Sequence, residues 1–335
     1  MPEGLTPLLL TVLVLAVAFD YVNGFHDTAN AIATSVSTRA LRPEHAILMS
    51  ATANFLGALA GTAVAKTISS GIATTPDGDA GQIIVAAALV GAIAWDLITW
   101  RLGIPSSSSH ALIGGIIGAV LAASGAGALK VDGIVGLVIF PLVTSPILGV
   151  LVGFGFMIVL LNVFKRMHPR KLNDRFRRLQ VVSAGFMAFS HGSNDAQKTM
   201  GVITLALIAG GLLPADAKIP LWVILLAASA MSLGTAAGGW RIIRTMGQRV
   251  VKLDPVHGFA AETTAATIIL TASQFGMPVS TTHVISSAIM GVGSSDRFSA
   301  VRWGVAGNIV IAWILTIPAS GAMAWLAWEL LSRVL

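Results

Sequence analysis

Three carboxylates lie inside or at the ends of long apolar stretches of the sequence, at Asp27, Asp195 and Glu262. A carboxylate in apolar surroundings costs about 3 kcal/mol or more unless it is paired or hydrated, so such a residue is a candidate for ion binding. The alternative is an interfacial carboxylate at a helix end. This alternative has less weight for Asp27 and Asp195, because each of them follows a glycine by three residues and has polar neighbours. It has more weight for Glu262, Asp20 and Asp96.

The residues around the two aspartates favour an oxygen-rich cation site. Gly24 and Gly192 precede them and predict breaks in the helices, where unwound backbone would free carbonyl oxygens. The side-chain amides of Asn23, Asn30 and Asn194 add further oxygens. Oxygen ligands suit hard cations such as Na⁺ or a divalent metal ion, and an aspartate can also carry a proton. The residue types leave all three cations open.

Two hydroxyl-rich segments have the chemistry of anion sites. Residues 105–110 have the sequence PSSSSH, and residues 278–283 have PVSTTH. Serine and threonine are preferred helix N-caps and proline breaks the preceding structure, so each segment predicts a helix that starts there. A helix N-terminus offers unpaired N–H groups and about half a positive charge, and two such ends would cradle a tetrahedral oxyanion with the hydroxyls of 106–109 and 280–282. The alternative is that these hydroxyls bond back to their own helices.

Lys198 lies within one of the aspartate motifs, where the other motif has Asn30. We expect its ammonium group to neutralise a bound anion or to pair with Asp195, which is three residues earlier on the same predicted helix. These motifs also contain histidines, whose expected roles are to cap a helix, to orient a neighbouring group or to titrate. They are His26, His110, His191 and His283.

The composition indicates that these motifs belong to a membrane protein. Of 335 residues, 55% are apolar and 11% are charged, none is cysteine, and the mean hydropathy is +0.82. Soluble domains have about 25% charged residues, so a soluble enzyme is excluded, as are disulfides and thiolate catalysis. The net charge of +6 comes from lysines and arginines in loops between apolar runs, where they set membrane orientation rather than bind nucleic acid. Glu3 is the only charge before Asp20, so the N-terminus predicts a membrane helix and not a cleavable signal peptide.

Two motifs occur twice in the same order, so the chain is a duplication. GFHDTAN at 24–30 corresponds to GSNDAQK at 192–198, and GIPSSSSH at 103–110 corresponds to GMPVSTTH at 276–283, at offsets of 168 and 173 residues. A strongly basic stretch separates the halves. The predicted domains are a first membrane repeat, a basic cytoplasmic linker and a second membrane repeat: 1–164, 165–178 and 179–335.

Loop charges predict that the two repeats have opposite orientations. The loop after the first apolar run contains Arg39 and Arg42 in half one but is neutral in half two, whereas the loop after the second run is acidic in half one and basic in half two. Because basic loops stay in the cytoplasm, equivalent loops lie on opposite faces. About five crossings per repeat follow, with both chain termini outside the cytoplasm. The predicted fold is an all-α polytopic membrane protein of two inverted-topology repeats, with about 10–12 helices that include broken or re-entrant ones.

At these motifs the sequence resembles the inorganic phosphate transporter family, called PiT, over nearly the whole chain. The resemblance implies symport of inorganic phosphate across the cell membrane, driven by Na⁺ or H⁺, and in bacterial members the phosphate can travel with a divalent metal ion. The phosphate ligands that the resemblance implies are Ser106, Ser107, Ser108, Ser280, Thr281 and Thr282. The charge pattern adds Lys198 to this set. The cation-coupling residues that the resemblance implies are Asp27, Asn30, Asn194, Asp195 and Glu262. Among them, Asp27 and Asp195 would hold the Na⁺ or the proton.

The expected mechanism is alternating access, without catalytic residues or an organic cofactor. We expect phosphate, the lipid bilayer and a second copy of the chain as partners, and no nucleic acid. Two alternatives stay open at this point. A sulfate permease would use the same donors, because sulfate is also tetrahedral and divalent. An intramembrane serine hydrolase would use serine and histidine, although the Gly-x-Ser-x-Gly pattern of such enzymes is absent.

Overall fold

The computed structural model describes residues 6–334, and this part of the chain forms α-helices without a β-strand. In chain order the helices are α1 (Pro7–Ser37), α2 (Pro43–Ala58), α3 (Ala63–Gly71), α4 (Asp79–Leu102), α5 (Ser108–Ser124), α6 (Val131–Ile134), α7 (Phe140–Phe164), α8 (Pro169–Ala209), α9 (Leu221–Ala237), α10 (Trp240–Arg244), α11 (Pro255–Gln274), α12 (Thr281–Asp296) and α13 (Trp303–Leu331). A π-helical turn over Val135–Ile139 joins α6 to α7, and another, Thr245–Arg249, continues α10. The predicted all-α class is confirmed.

Several helices are long and apolar enough to cross a membrane. Among residues 6–334 these are α1, α4, the joined α6–α7 and α13, and the bent pairs α2–α3 and α9–α10 raise the number from 4 to 6 if each pair is one span. On α7, Leu151, Val159 and Val163 are exposed, as suits a surface in contact with lipid. The long helix α8 fails the apolar criterion because its first turns are basic and its middle is polar. Helices α5 and α12 have only 17 and 16 residues, and α11 contains a buried glutamate and several hydroxyl residues. Together these four helices account for the difference from the ten or so crossings that the sequence predicted.

The helix order of the first half recurs in the second. Helices α1 to α5 correspond to α8 to α12, and the pairs α2–α3 and α9–α10 are both bent, by 69° and 60°. The halves interlock, because α1 packs on α9 and α8 packs on α2, while α5 packs on α13 and α12 packs on α7. Each half therefore completes its core with helices of the other.

Two helical hairpins position the hydroxyl-rich segments. Helix α4 is followed directly by Gly103, with φ 67°, and α11 is followed two residues later by Gly276, with φ 68°. This left-handed conformation is accessible to glycine without strain, so both hairpins turn at the same place. Each turn leads to an extended N-cap serine, Ser107 ahead of α5 and Ser280 ahead of α12.

The prediction of helix breaks at Gly24 and Gly192 is wrong, because α1 and α8 run through both residues without interruption. A β-carbon at Gly24 would collide with the carbonyl oxygen of Met231 in α9, and one at Gly192 would collide with that of Asn54 in α2. These glycines are needed for close approach between helices rather than for unwinding. The backbone carbonyls near the aspartates consequently stay within helical hydrogen bonds.

Replacing Gly192 by alanine is expected to lower the free energy of unfolding by about 1–3 kcal/mol, because the added methyl group separates α8 from α2. Gly155 is the matched control, since a β-carbon there meets open space on α7. Reversible unfolding of the two variants in mixed micelles measures the difference. Equal stability of Gly192→Ala and Gly155→Ala would contradict the close-approach explanation.

The basic stretch 165–178 is mostly helical rather than a loop. Helix α7 ends at Phe164 and α8 begins at Pro169, so residues 165–168 alone connect them. Proline is favoured in the first turn of a helix, and the ring of His168 accepts a hydrogen bond from a first-turn backbone N–H at 3.3 Å. Lysine, arginine and leucine are good helix formers, which is why this polar sequence continues into the apolar part of α8.

Candidate functional site

The two hydroxyl-rich segments meet at the centre of the molecule, where α5 and α12 begin. Ser107 Oγ accepts a hydrogen bond from the backbone N–H of His110, and Ser280 Oγ accepts one from that of His283, both at 3.2 Å. The rings of the two histidines have centroids 4.8 Å apart. The predicted helix starts are therefore confirmed, and they lie side by side.

Asp27 is held by groups of its own half. Its Oδ2 accepts a hydrogen bond from Ser108 Oγ at 3.0 Å, and its Oδ1 lies 2.6 Å from His26 Nδ1. Ser108 also donates to Asn23 Oδ1 at 2.6 Å. All four side chains are buried. Asp27 thus reaches the N-terminus of α5 from the middle of α1.

Asp195 occupies the corresponding place in the second half. Its Oδ2 accepts a hydrogen bond from Thr281 Oγ1 at 2.9 Å and lies 3.1 Å from His191 Nε2. Its Oδ1 forms an ion pair with Lys198, one turn later on α8. The pairing that the spacing of these residues predicted is present in the structure.

The residues three positions after the aspartates reach across to the opposite half. Asn30 Nδ2 donates to Thr282 Oγ1 at 2.9 Å and lies 3.3 Å from Thr281 Oγ1. Lys198 donates to Ser109 Oγ, and it also donates to the carbonyl oxygen of Val279 at 3.2 Å. Each aspartate therefore contacts its own hydroxyl segment, Asn30 contacts the other one, and Lys198 contacts both.

The two aspartates approach each other between the hydroxyl segments. One ligand atom from each of Asp27, His191 and Asp195 lies within 4.8 Å of the other two. Asn30 Oδ1 and Asn194 Oδ1 are buried, and neither has a hydrogen-bond partner among residues 6–334. Carboxylate and amide oxygens are ligands for hard cations, and a nearby imidazole extends the range to transition metals. This arrangement can hold a cation next to the helix N-termini.

Two further carboxylates, Asp20 and Asp96, are completely buried. Neither of the oxygens of either carboxylate has a hydrogen-bond partner in the part of the chain that the structure describes. Asp20 lies two turns before Asp27 on α1, and Asp96 lies near the end of α4. A buried carboxylate without donors is costly unless it binds a proton or a cation. Their burial therefore favours ion binding over the helix-end role that the sequence left open.

Sequence reasoning missed two hydroxyl residues that support the site. Thr99 Oγ1 lies 3.1 Å from His26 Nε2 and accepts a hydrogen bond from Ser106 Oγ at 2.8 Å. Ser273 Oγ accepts one from Asn194 Nδ2 at 2.8 Å. Both residues lie in the last turn of the helix ahead of a proline segment. This shared position, one turn before each proline segment, was the sequence signal that could have identified these two residues.

Glu262 is not brought together with the other predicted cation residues. Its Oε1 accepts hydrogen bonds from Thr34 Oγ1 at 2.5 Å and from Gln180 Nε2 at 3.0 Å, and its Oε2 accepts one from Ser183 Oγ. Thr34 is seven residues after Asp27, or about 10 Å along α1. Glu262 belongs to a separate buried cluster that links α1, α8 and α11.

The surroundings of the site differ between the halves. A cavity of about 420 Å³ lies on one side of the site, next to Ser273. Its polar lining residues are Ser193, Gln197, Ser273 and Gln274. The residues at the equivalent positions of the duplication are Phe25, Ala29, Trp100 and Arg101. The rings of Phe25 and Trp100 are 5.2 Å apart, and the guanidinium of Arg241 lies 5.0 Å from the Trp100 ring. The cavity on one side thus has a neutral polar lining, whereas the equivalent positions on the other side carry aromatic rings and cationic groups.

Comparisons with known proteins agree with this architecture. Residues 23–324 match a family model described as "Phosphate transporter family". The chain is 49% identical over 329 residues to a protein of Bacillus subtilis (strain 168) named "Probable low-affinity inorganic phosphate transporter", with 98% of each chain covered. It is 45% identical to a protein of the same name from Rhizobium meliloti (strain 1021), with 96% of each covered. A solved structure, "The sodium-dependent phosphate transporter", matches with a TM-score of 0.87 at 27% identity and covers 98% of this chain and 100% of that one.

These relatives are transporters and not enzymes, so the hydrolase alternative is set aside. The helices that can span a bilayer make the chain a multi-pass membrane protein. The family model covers the motifs at Asp27, Ser106, Asp195 and Ser280 in their order along the sequence. The chain therefore belongs to the phosphate transporter family.

Proposed function

We propose that this protein carries inorganic phosphate across the cell membrane as a cation-coupled symporter. The proposal rests on the meeting of two helix N-termini beside a pair of buried aspartates. N-terminal N–H groups and hydroxyls bind an oxyanion without the need for arginine. In the proposed phosphate site these donors are joined by a lysine, and the ligands are Ser106, Ser107, Ser108, Ser280, Thr281, Thr282 and Lys198.

The coupling cation binds next to the phosphate. Its ligands are Asp27, Asn30 and Asn194, with Asp195 contributing less because Lys198 already neutralises it. Neutralisation matters, since each uncompensated charge costs about 2.3 kcal/mol per 100 mV of opposing potential. Glu262 acts at a distance, where its hydrogen bonds tie three helices together.

Alternating access follows from two repeats of inverted topology, 1–164 and 179–335. The loops rich in arginine and lysine lie in the cytoplasm, and both termini lie outside. Equivalent positions around the site carry neutral polar side chains along a cavity on one side and aromatic rings and arginines on the other, which is the asymmetry that inverted repeats are expected to display in a single state of the cycle. The side with the neutral cavity faces outward, because the arginines lie on the other side.

Uptake of labelled phosphate into proteoliposomes, with Na⁺ and H⁺ gradients imposed separately, tests the proposal. One gradient alone is expected to drive accumulation, and arsenate is expected to compete. Asp27 and Asp195 can accept a hydrogen bond from a protonated phosphate, whereas sulfate has no proton to donate at neutral pH. Competition by molybdate or selenate but not by arsenate would instead assign a sulfate permease, and uptake without either gradient would reject symport.

A further inference from the structure

Four arginines surround a second cavity, on the side of the site that carries the aromatic rings. This cavity has a volume of about 280 Å³ and lies between the end of α4 and the α10 segment, and its cationic lining residues are Arg101, Arg241, Arg244 and Arg249. All four side chains are exposed. The lining contains no carboxylate, and none of the four forms an ion pair with another residue of the described chain. Like charges gathered without a counter-charge repel one another, so an anion in this cavity would stabilise the arrangement.

The side chain of Arg241 is held by contacts that leave its charge uncompensated. Arg241 Nη1 donates to the carbonyl oxygen of Arg101 at 2.6 Å, and its guanidinium stacks over Trp100. Thr245 Oγ1 donates to the carbonyl oxygen of Gly103 at 2.8 Å. Gly103 lies three residues ahead of Ser106, so the cavity is next to the first hydroxyl segment.

The cavity lies at the depth of the transmembrane helices. Gly239 packs against the carbonyl oxygens of Phe25 and His26, and Gly247 packs against that of Ala33. The segment that carries the arginines therefore runs alongside α1 from the level of the aspartate motif towards the end of that helix. Exposed charges and irregular backbone at this depth are tolerated where they line water rather than lipid.

The duplication shows that the fold does not require these charges. The hydrogen bond from Thr245 to Gly103 has an equivalent in the other half, from Thr67 Oγ1 to the carbonyl oxygen of Gly276 at 2.7 Å. In that register Arg241, Arg244 and Arg249 correspond to Ala63, Lys66 and Gly71, and Arg101 corresponds to Gln274. Three of the four cationic positions are neutral in the other half. The arginines thus belong to one mouth of the pathway only.

We propose that these four arginines form a second anion site, which binds a phosphate group at the cytoplasmic mouth. Guanidinium groups bind phosphate oxygens in pairs with fixed geometry. The phosphate group is either inorganic phosphate on its way to or from the hydroxyl segments or the headgroup of an anionic lipid. The cytoplasmic position rests on the proposed function, whereas binding of a phosphate group rests on the cavity alone.

Labelling with phenylglyoxal, which modifies arginine, tests the site in the full chain reconstituted in phosphatidylcholine nanodiscs. Mass spectrometry measures modification of each arginine with potassium phosphate or with potassium chloride at equal ionic strength. At a phosphate concentration about ten times Kd we expect labelling of Arg101, Arg241, Arg244 and Arg249 to slow about tenfold, since the unoccupied fraction falls as 1/(1 + c/Kd), where c is the free phosphate concentration. Arg166 and Arg170, which are exposed and lie outside the cavity, are the internal controls.

A second set of nanodiscs contains phosphatidylglycerol and no inorganic phosphate, which separates the two sources. Protection by phosphate identifies the free anion, and protection by phosphatidylglycerol alone identifies the lipid headgroup. Protection by neither, or equal protection of Arg166 and Arg170, would overturn the proposal. The measurement is repeated on Asp27→Asn. Because that variant impairs the central site only, protection that persists in it supports a separate site even if the uptake assay rejects symport.

Transport provides an independent readout of the same cavity. In the double variant Arg244→Gln with Arg249→Gln, the phosphate KM from the arginine-bearing face should rise by about tenfold if the free anion binds, while the KM from the other face stays unchanged. If the lipid binds, phosphatidylglycerol should alter the uptake rate of the original chain and not that of the double variant. The matched control is Arg166→Gln with Arg170→Gln. No difference between the two double variants in either measurement would contradict the site.

Discussion

Replacing Lys198 by methionine is expected to lower the free energy of unfolding by about 3–5 kcal/mol, because the change removes the ammonium group that pairs with the buried carboxylate of Asp195. Both side chains are buried, with 1% of Lys198 and 0% of Asp195 exposed. Asp195→Asn should be similarly destabilising, since it leaves the buried ammonium group of Lys198 without its carboxylate partner. Removal of one partner of this pair is thus expected to lower the free energy of unfolding far more than removal of both partners.

The double variant Asp195→Asn with Lys198→Met should recover most of the lost stability, because neither member of the pair then leaves the other as an uncompensated buried charge. Unfolding of the four proteins in mixed micelles gives the coupling free energy directly. The recovered double variant should still fail to take up phosphate, since the proposed anion site has lost its cation. Additive effects of the two single changes would show that the ion pair is not what stabilises this region.

Asp27→Asn is expected to abolish coupled uptake while the protein stays folded. An asparagine at this position can still accept the hydrogen bond from Ser108 and donate to the ring of His26. What it lacks is the charge that attracts the coupling cation. Carrying one uncompensated charge against 100 mV costs about 2.3 kcal/mol, which lowers the rate roughly 50-fold.

Uptake of labelled phosphate at zero potential and at an imposed potential measures this effect. Asp132→Asn is the matched control, because Asp132 is an exposed carboxylate at the start of α6. The control should retain full uptake and an unchanged dependence on potential. Normal uptake by Asp27→Asn at both potentials would remove Asp27 from the coupling site.

The helix starts at Ser107 and Ser280 could be predicted from the sequence because capping is local: a proline, a run of hydroxyls and an apolar stretch suffice. The aspartate motifs could be identified because they occur twice. The contacts of Asn30 and Lys198 across the two halves could not be predicted, since they depend on how the hairpins meet. The same limit applies to Glu262, whose three partners come from helices far apart in the chain.

The glycine prediction failed for a physical reason. A glycine among polar residues is compatible with unwound backbone and equally with close packing of two helices. What decides between them is the neighbouring backbone, here that of Met231 beside Gly24 and of Asn54 beside Gly192. Because those neighbours come from the opposite half of the duplication, no local pattern reports their presence.

The duplication places the ammonium group of Lys198 where the other half has the amide of Asn30, so the contacts between the halves are unequal. Release of the first hydroxyl segment from α8 breaks a charged contact between Lys198 and Ser109, whereas release of the second segment from α1 breaks a neutral one between Asn30 and Thr282. Charged hydrogen bonds are roughly twice as strong as neutral ones. Under the proposed alternating access, the contact of Lys198 with Ser109 is therefore the one that requires more free energy to separate.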